Sequence, residues 1–378
     1  MYNDVNDLLD KCMNVINEKV KNLKTLNIVV VGKSGVGKST LINSVFREDL
    51  AETGTGKPVT QHTTLITKKG IPLGIYDTKG FELGKQAQQE VQSELIYTIR
   101  EGIHDTDKAI HCIWYCVSVP SNRFEPEEVE WIRNFAKETQ SYKIPIIIVL
   151  TQSFSKNSAQ ELKKIIENEN LDVIKVIPVL AQDYVIDDNI TIQAYGTDTL
   201  IEVMQEKLPD ELIDTLMNVQ QANLKLKQKK AQAAVASAAA LAMTAGVTPI
   251  PFSDAALLIP IEVGMMASIT VVFGFEISKS ILTSMVSTVI GTSGATFAGK
   301  AFVSNLFKLI PGLGTLAGGV ISGATAAMLT TGLGEAYIGV MTAMFKGEIN
   351  AKELGTEEGK KKFGEIFRKE LTAKRRKV

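Results

Sequence analysis

Residues Gly32-Lys33-Ser34-Gly35-Val36-Gly37-Lys38-Ser39-Thr40 carry the spacing Gly-x-x-x-x-Gly-Lys-Ser, which grips phosphate. Glycines let the backbone wrap an anion without Cβ clashes. The loop N–H groups and the positive end of a following helix then favour negative charge. Lys38 stands where it can reach terminal phosphates, and the Ser39 hydroxyl where it can bind Mg2+. The expected chemistry is binding of a nucleotide polyphosphate together with Mg2+.

That loop needs a strand before it and a helix after it. Residues 26–31, apolar except for Asn27, read as a buried parallel strand, and 40–46 read as the helix. Ahead of them Val5, Leu8, Leu9, Cys12, Ile16, Val20 and Leu23 recur at helical spacing, predicting an amphipathic helix over 1–24. After the loop the pattern predicts a hairpin of 64–68 and 71–76 turning at Lys69-Gly70. Buried strands are expected at 109–119, 144–150 and 173–180, with a helix over 125–139. Alternating strands and helices mean a mostly parallel sheet with helices on both faces, an α/β domain over 25–208. A linker helix over 209–232, an all-α apolar domain over 233–345 and a basic tail over 346–378 complete the chain.

Composition fits this division. A length of 378 residues suggests two or three domains, and a net charge of −1 implies no polyanion partner. Nucleic-acid binding is not expected, since no aromatic residues interleave with the basic ones. Cys12, Cys112 and Cys116 show no metal-ligand spacing and read as buried thiols of a reducing compartment. The polar, acidic start is unlike a secretory signal.

Further motifs resemble those of P-loop GTPases. The strand ending at Tyr76 runs into Asp77-Thr78-Lys79-Gly80, an Asp-x-x-Gly about 40 residues after the phosphate loop. The resemblance implies that Asp77 holds the Mg2+ shell and that the Gly80 N–H meets the γ-phosphate. Residues 54–64 occupy the place of the first switch. There Pro58-Val59-Thr60 points to Thr60 as the threonine that closes the Mg2+ shell, with Thr63 and Thr64 as rivals. Thr151-Gln152-Ser153-Phe154 stands where the family writes [Asn/Thr]-Lys-x-Asp, so Gln152 replaces the lysine and Phe154 the guanine-reading aspartate. GTP and GDP are the implied ligands, with weakened discrimination against ATP. Leu180-Ala181, followed by Gln182, resembles the loop that offers a backbone N–H to the base. Phe81 stands where a water-orienting glutamine is usual, which implies slow or partner-assisted hydrolysis. The domain as a whole resembles Era-, septin- and immunity-associated-like GTPases, and its Gly-Lys-Ser-Gly opening resembles the last two, which pair across their nucleotides. A homodimer is therefore a possible partner.

Past Leu208-Pro209 the composition changes. Lys225, Lys227, Lys229 and Lys230 cluster on the linker helix. From 231 to 345 only seven residues are charged: Asp254, Glu262, Glu276, Lys279, Lys300, Lys308 and Glu335. The apolar runs 231–252, 255–275, 281–299 and 312–345 each reach the length that spans a bilayer, roughly 18 to 20 residues. Gly314/Gly318 and Gly319/Gly323 are small-residue pairs that let helices touch. Ile250-Pro251 and Ile310-Pro311 each read as the turn of a helical hairpin. The expectation is a lipid-membrane partner, with a cytoplasmic α/β domain attached to the inner or plasma membrane and the basic Lys374-Arg375-Arg376-Lys377 end cytosolic. An Ala-rich helical bundle buried against itself or against the α/β domain is the alternative.

The whole arrangement resembles a bacterial family in which a GTPase domain precedes a Gly/Ala-rich helical domain of unknown function. The residues that carry this are Pro249-Ile250-Pro251-Phe252-Ser253-Asp254 and Lys308-Leu309-Ile310-Pro311-Gly312-Leu313-Gly314-Thr315. The resemblance implies a GTP-binding switch or remodeller coupled to a membrane-associated helical domain. The other reading is a nucleotide-dependent assembly or scaffold protein.

Overall fold

Five apolar side chains and the amide of Asn27 make up β1 (Leu26–Val31), and all six residues are buried. Such a run suits a strand covered on both faces. In the computed structural model of the chain, the described residues are 5–46, 55–58, 63–78, 85–102, 105, 107–187, 189–246, 250–251, 258–276, 279, 282 and 320–350, with scattered positions from 353 to 369. They divide into two compact units, one of residues 23–223 and the other of 1–22 with 224–378.

In the first unit β1 sits within a seven-stranded sheet. Its strands in chain order are β1, β2 (Thr55–Pro58), β3 (Thr63–Thr67), β4 (Leu73–Thr78), β5 (Cys112–Ser118), β6 (Ile146–Thr151) and β7 (Lys175–Pro178), and the spatial order is β2-β3-β4-β1-β5-β6-β7. β4, β1, β5, β6 and β7 are parallel, while β3 and β2 add antiparallel at one edge. The helices are α2 (Lys38–Val45), α3 (Lys85–Gly102), α4 (Pro126–Thr139), α5 (Lys156–Asn168), α6 (Thr197–Lys207) and α7 (Asp210–Val219). One face of the sheet packs Val29, Ile113, Tyr115 and Ile148 against Val91 and Leu95 of α3, Trp131 and Phe135 of α4, and Leu162 of α5. The alternate residues face the other way, where the Trp114 ring stacks on Phe46 at 5.6 Å. The fold class is therefore the expected α/β architecture. Cys112 and Cys116 lie on β5, fully buried, and burial pushes both thiols up to about 12.

Three features differ from the sequence reading. The stretch read as a switch loop contributes an edge strand, since Thr55–Pro58 pairs with β3; an edge tolerates the missing N–H of Pro58. After β7 the chain forms an unexpected two-stranded hairpin, β8 (Tyr184–Asp187) and β9 (Ile190–Ile192). The linker helix expected over 209–232 is two helices. α7 ends where Gln220 turns extended, and the Gln220 Oε1 accepts the N–H groups of Ala222 and Asn223 at 2.8 Å each. Gln221 N–H donates to Val45 O, which pins the break to the end of α2.

The second unit is largely helical: α1 (Val5–Lys21), α8 (Leu224–Ala245), α9 (Ile259–Phe273) and α10 (Gly323–Phe345). α1 packs on α9, burying Leu9, Cys12 and Ile16, so the helix that precedes the sheet in sequence belongs with the C-terminal helices. α8 runs antiparallel to α10: Gln228 Nε2 donates to Thr342 Oγ1 at 3.0 Å, and Gly246 and Gly323 touch at the opposite end. A Cβ at Gly246 would stand 2.6 Å from the Gly323 Cα, so side chains there would push the two helices apart. α9 lies parallel to α10, joined by the Thr270–Tyr337 hydroxyl bond of 2.8 Å. Lys227 is completely buried, and its Nζ donates to the carbonyls of Val272 and Phe273 at 2.8 and 3.1 Å. One lysine of the basic cluster thus caps the C-terminus of α9.

Among the described residues no helix is long and apolar enough to cross a membrane, which corrects the expectation of transmembrane helices there. α9 has 15 residues and stops at Gly274, where φ is 76°. At 1.5 Å per residue it spans about 22 Å, short of a hydrocarbon core of about 30 Å. α8 is 22 residues long but opens with the four lysines. Nearly all of 281–299, both proline turns' flanking loops, Gly314, Gly318, Gly319 and the end of the tail lie outside the described residues.

Candidate functional site

β1 delivers the chain into the phosphate loop at the carboxyl edge of the sheet. A Cβ at Gly32 would stand 2.6 Å from the Cys116 carbonyl oxygen, so only glycine lets the loop cross β5. Gly35 and Gly37 adopt φ of 76° and 91°, and Gly37 is the N-cap of α2. No side chain caps α2, so the N–H groups of its first turn are turned toward whatever anion the loop holds. The Lys38 Nζ donates to Gly32 O at 2.8 Å and Lys33 O at 3.1 Å, which keeps the ammonium inside the loop. Ser34, Ser39 and Thr40 are exposed beside it, whereas Val36 is buried.

Asp77 occupies the penultimate position of β4, in register with Val30 on one side and Thr64 on the other. It therefore stands one strand from the entrance to the loop. The Cys116 thiol, raised chiefly by burial, is also lowered by Lys38 and raised by Asp77, so both charges act on the same point of β5. The Ser39 hydroxyl and the Asp77 carboxylate are hard oxygen donors of the kind Mg2+ takes. The glycine-lined cradle and this donor set fit a nucleotide polyphosphate with Mg2+. Thr63 and Thr64, considered for the switch, lie in β3 instead, with Thr63 buried. Thr60, Gly80 and Phe81 lie outside the described residues.

The far side of the loop is braced from β6. The Thr151 hydroxyl lies between the carbonyls of Val36 and Val117. Gln152 has a φ of 52°, a conformation uncommon for a residue with a side chain. Two bonds hold it there: Ser118 Oγ donates to its Oε1 at 2.6 Å, and its Nε2 donates to Gly35 O at 3.1 Å. Strain of this kind is kept where surrounding structure over-determines it, and such places cluster at binding sites. Leu180, expected to offer an N–H to the base, exchanges both backbone bonds with Tyr195 at 3.0 Å, so its N–H is engaged. Ala181, half-buried, follows it at the site's edge.

One contributor escaped the sequence reading. Glu128 is buried at the third position of α4, where its Oε2 accepts the Glu125 N–H at 3.1 Å and completes a capping box. The same carboxylate binds Lys33 Nζ of the loop at 3.2 Å and accepts the Tyr115 hydroxyl at 3.2 Å. Burial and Glu128 together hold the Tyr115 phenol well above its ordinary range. The Glu-Pro-Glu-Glu run at 125–128 carried the cap signal, but nothing in it announced the partner on the loop. Glu128→Ala is expected to lower stability by about 1–3 kcal/mol, because it leaves a buried hydroxyl and a helix start unsatisfied. It should also weaken nucleotide binding severalfold, read by urea denaturation and by titration. Unchanged affinity would show that Lys33 does not need this anchor.

Comparison with known proteins agrees with this geometry. Residues 27–152 match the family described as 50S ribosome-binding GTPase, and 212–376 match a domain of unknown function, DUF697. The chain is 27% identical over 201 residues to Septin-12 of Homo sapiens, covering 46% of this chain and 55% of that protein. It is 26% identical over 171 residues to Cell division control protein 10 of Saccharomyces cerevisiae, covering 38% and 52%. The chain thus spans about half the length of the curated relatives it matches. A bacterial selenocysteine-specific elongation factor EF-Sec structure aligns with a TM-score of 0.31 and 17% identity, over 49% of this chain and 29% of that one. The chain carries a P-loop GTPase domain followed by a largely helical region of the second family.

Proposed function

We propose that this protein binds and hydrolyses GTP with Mg2+, and that its nucleotide state controls self-association. The observation that carries the reading is the braced loop: Lys38 is held inside a glycine cradle that Thr151 and Gln152 fix from β6. In this reading Lys38 neutralises the terminal phosphates, Ser39 and Asp77 hold Mg2+ with Thr60, and Gly80 contacts the γ-phosphate. Loop N–H groups from Lys33 to Thr40 cradle the remaining phosphates. Mg2+ supplies charge neutralisation across the phosphates when bound. Self-association is supported by the Gly-Lys-Ser-Gly opening at 32–35, which resembles that of GTPases that pair across their nucleotides. In sequence Phe81 follows Asp-x-x-Gly, where a water-orienting glutamine is usual, and a phenyl ring cannot orient water, so a second molecule is the simplest source of the missing group.

Phosphate release from GTP should be Mg2+-dependent, and turnover per molecule should rise with protein concentration. Turnover that stays flat over a hundredfold dilution would remove the pairing, and no release at any concentration would remove hydrolysis.

A second reading, contact of the helical unit with a lipid surface, draws on three exposed apolar side chains. Leu241 and Met243 on α8 and Met328 on α10 are each more than half exposed, at the end of the unit where the two helices meet. Sedimentation with anionic vesicles tests it: binding that Met243→Glu abolishes supports lipid contact, and a protein that stays in the supernatant refutes it.

A further inference from the structure

On the base side of the phosphate loop the wall is aromatic where a guanine-reading site would place a carboxylate. β6 ends on Thr151 and Gln152, which grip the loop at Val36 and Gly35. Directly beyond, the Phe154 N–H closes a tight turn onto Gln152 O at 2.7 Å. The Phe154 ring then lies against Tyr184, with centroids 4.3 Å apart and planes at 44°. The two segments form one body. Ser153 N–H donates to Val179 O at 3.2 Å, and the Tyr195 hydroxyl donates to Ser153 O at 2.9 Å. This wall stands past the carboxyl ends of β6 and β7, the region where open parallel sheets take their ligands.

The wall offers ring faces and few polar readers. Tyr184 is 44% exposed, and Phe154 is half-buried beneath it. Asp183 is the one acid in the loop 180–184, and its Oδ1 accepts the Ala194 N–H at 2.7 Å, closing the base of the β8–β9 hairpin. The Leu180 N–H is engaged with Tyr195. Stacking tolerates a change of base, because every base has a π face. A fixed carboxylate would not, since its two bonds to guanine have no counterpart on adenine.

Resting on the nucleotide-binding reading above, we infer that the nucleotide base is held by stacking on the Phe154–Tyr184 pair. The site then selects purines by ring area and accepts guanine and adenine nucleotides alike.

The test is displacement of a ribose-labelled fluorescent GTP from the full chain with Mg2+, using GTP, ATP, UTP and inorganic tripolyphosphate as competitors. GTP and ATP are expected to compete within about tenfold of each other, with UTP weaker by about tenfold or more. Tyr184→Ala should weaken GTP and ATP equally, by about tenfold, and leave tripolyphosphate unchanged. Tyr184→Phe should behave as wild type, and so should Asp183→Asn. A GTP preference above about a hundredfold, or Tyr184→Ala without effect on either nucleotide, overturns the inference. So does loss of GTP preference in Asp183→Asn, which would make that carboxylate the reader. If wild type takes up neither labelled GTP nor tripolyphosphate, the nucleotide-binding reading itself has failed. If tripolyphosphate competes and base identity follows Asp183, only the stacking has.

Discussion

Lys38→Ala is expected to abolish nucleotide binding, with a loss of affinity of a hundredfold or more. The ammonium lies inside the loop, bonded to the carbonyls of Gly32 and Lys33 at 2.8 and 3.1 Å, and α2 begins at that residue. Truncating one partner of a desolvated charged hydrogen bond costs about 2–5 kcal/mol, and 1.4 kcal/mol is a factor of ten. Lys33, the other cation of the loop, is a poor substitute, because its Nζ is tied to the buried Glu128 carboxylate at 3.2 Å. Equilibrium titration with labelled GTP reads the outcome. The fold should survive, since Lys38 is half-buried and its ammonium bonds to carbonyls of the loop, and an unchanged thermal midpoint would confirm that binding alone was lost. A variant that binds as tightly as wild type would mean the polyphosphate sits elsewhere.

The phosphate loop, β1 and the Asp77 strand end were legible because each rests on local chemistry. A glycine spacing, an apolar run and a strand-ending carboxylate can be read within a few residues. What the sequence did not disclose were partnerships over long separations. Glu128 meets Lys33 across 95 positions, and Lys227 caps α9 across 45. Both charged residues look solvated in sequence, because periodicity says only that a helix has a polar face. The hairpin of Tyr184–Asp187 and Ile190–Ile192 was missed for another reason. Its exposed apolar side chains pack on no core, so the burial pattern that reveals other strands is absent. Where the apolar half is described, its length misled. Its runs reach membrane-spanning size in sequence, yet Gly274 ends α9 at 15 residues and the break after Gln220 resets the lysine-rich helix. Composition counts residues without seeing where a left-handed glycine or a side-chain clamp stops the helix.

The same helical unit makes a pH prediction whose sign is fixed by one carboxyl group. Glu262 lies in the first turn of α9, 1% exposed, and neither of its oxygens has a hydrogen-bond partner. On the facing helix Thr330 is likewise buried with an unbonded hydroxyl; it lies one turn before Gly334, as Glu262 lies one turn before Met265, which packs on Gly334. Burial alone pushes the Glu262 carboxyl up from 4.5 to about 8, with no neighbouring charge contributing. At neutral pH it is therefore a neutral acid in the folded chain and a carboxylate in the unfolded one. The folded state holds a proton that the unfolded state releases, so the stability tied to Glu262 is complete below about pH 4.5. It declines as pH rises and is fully lost once pH passes about 8. At about 1.4 kcal/mol per unit, the difference across that window approaches 5 kcal/mol as an upper figure. Thermal unfolding of the full chain, followed by helical circular dichroism between pH 5 and 9, should show the midpoint of the helical unit falling with pH. Glu262→Gln keeps the shape, removes the proton, and should flatten that dependence, so that the variant outlasts wild type at pH 8.5 and matches it near pH 5. A wild-type midpoint that holds steady from pH 5 to 9, or a Gln variant that falls just as wild type does, would show that the carboxyl has found a partner or water that keeps it ionised.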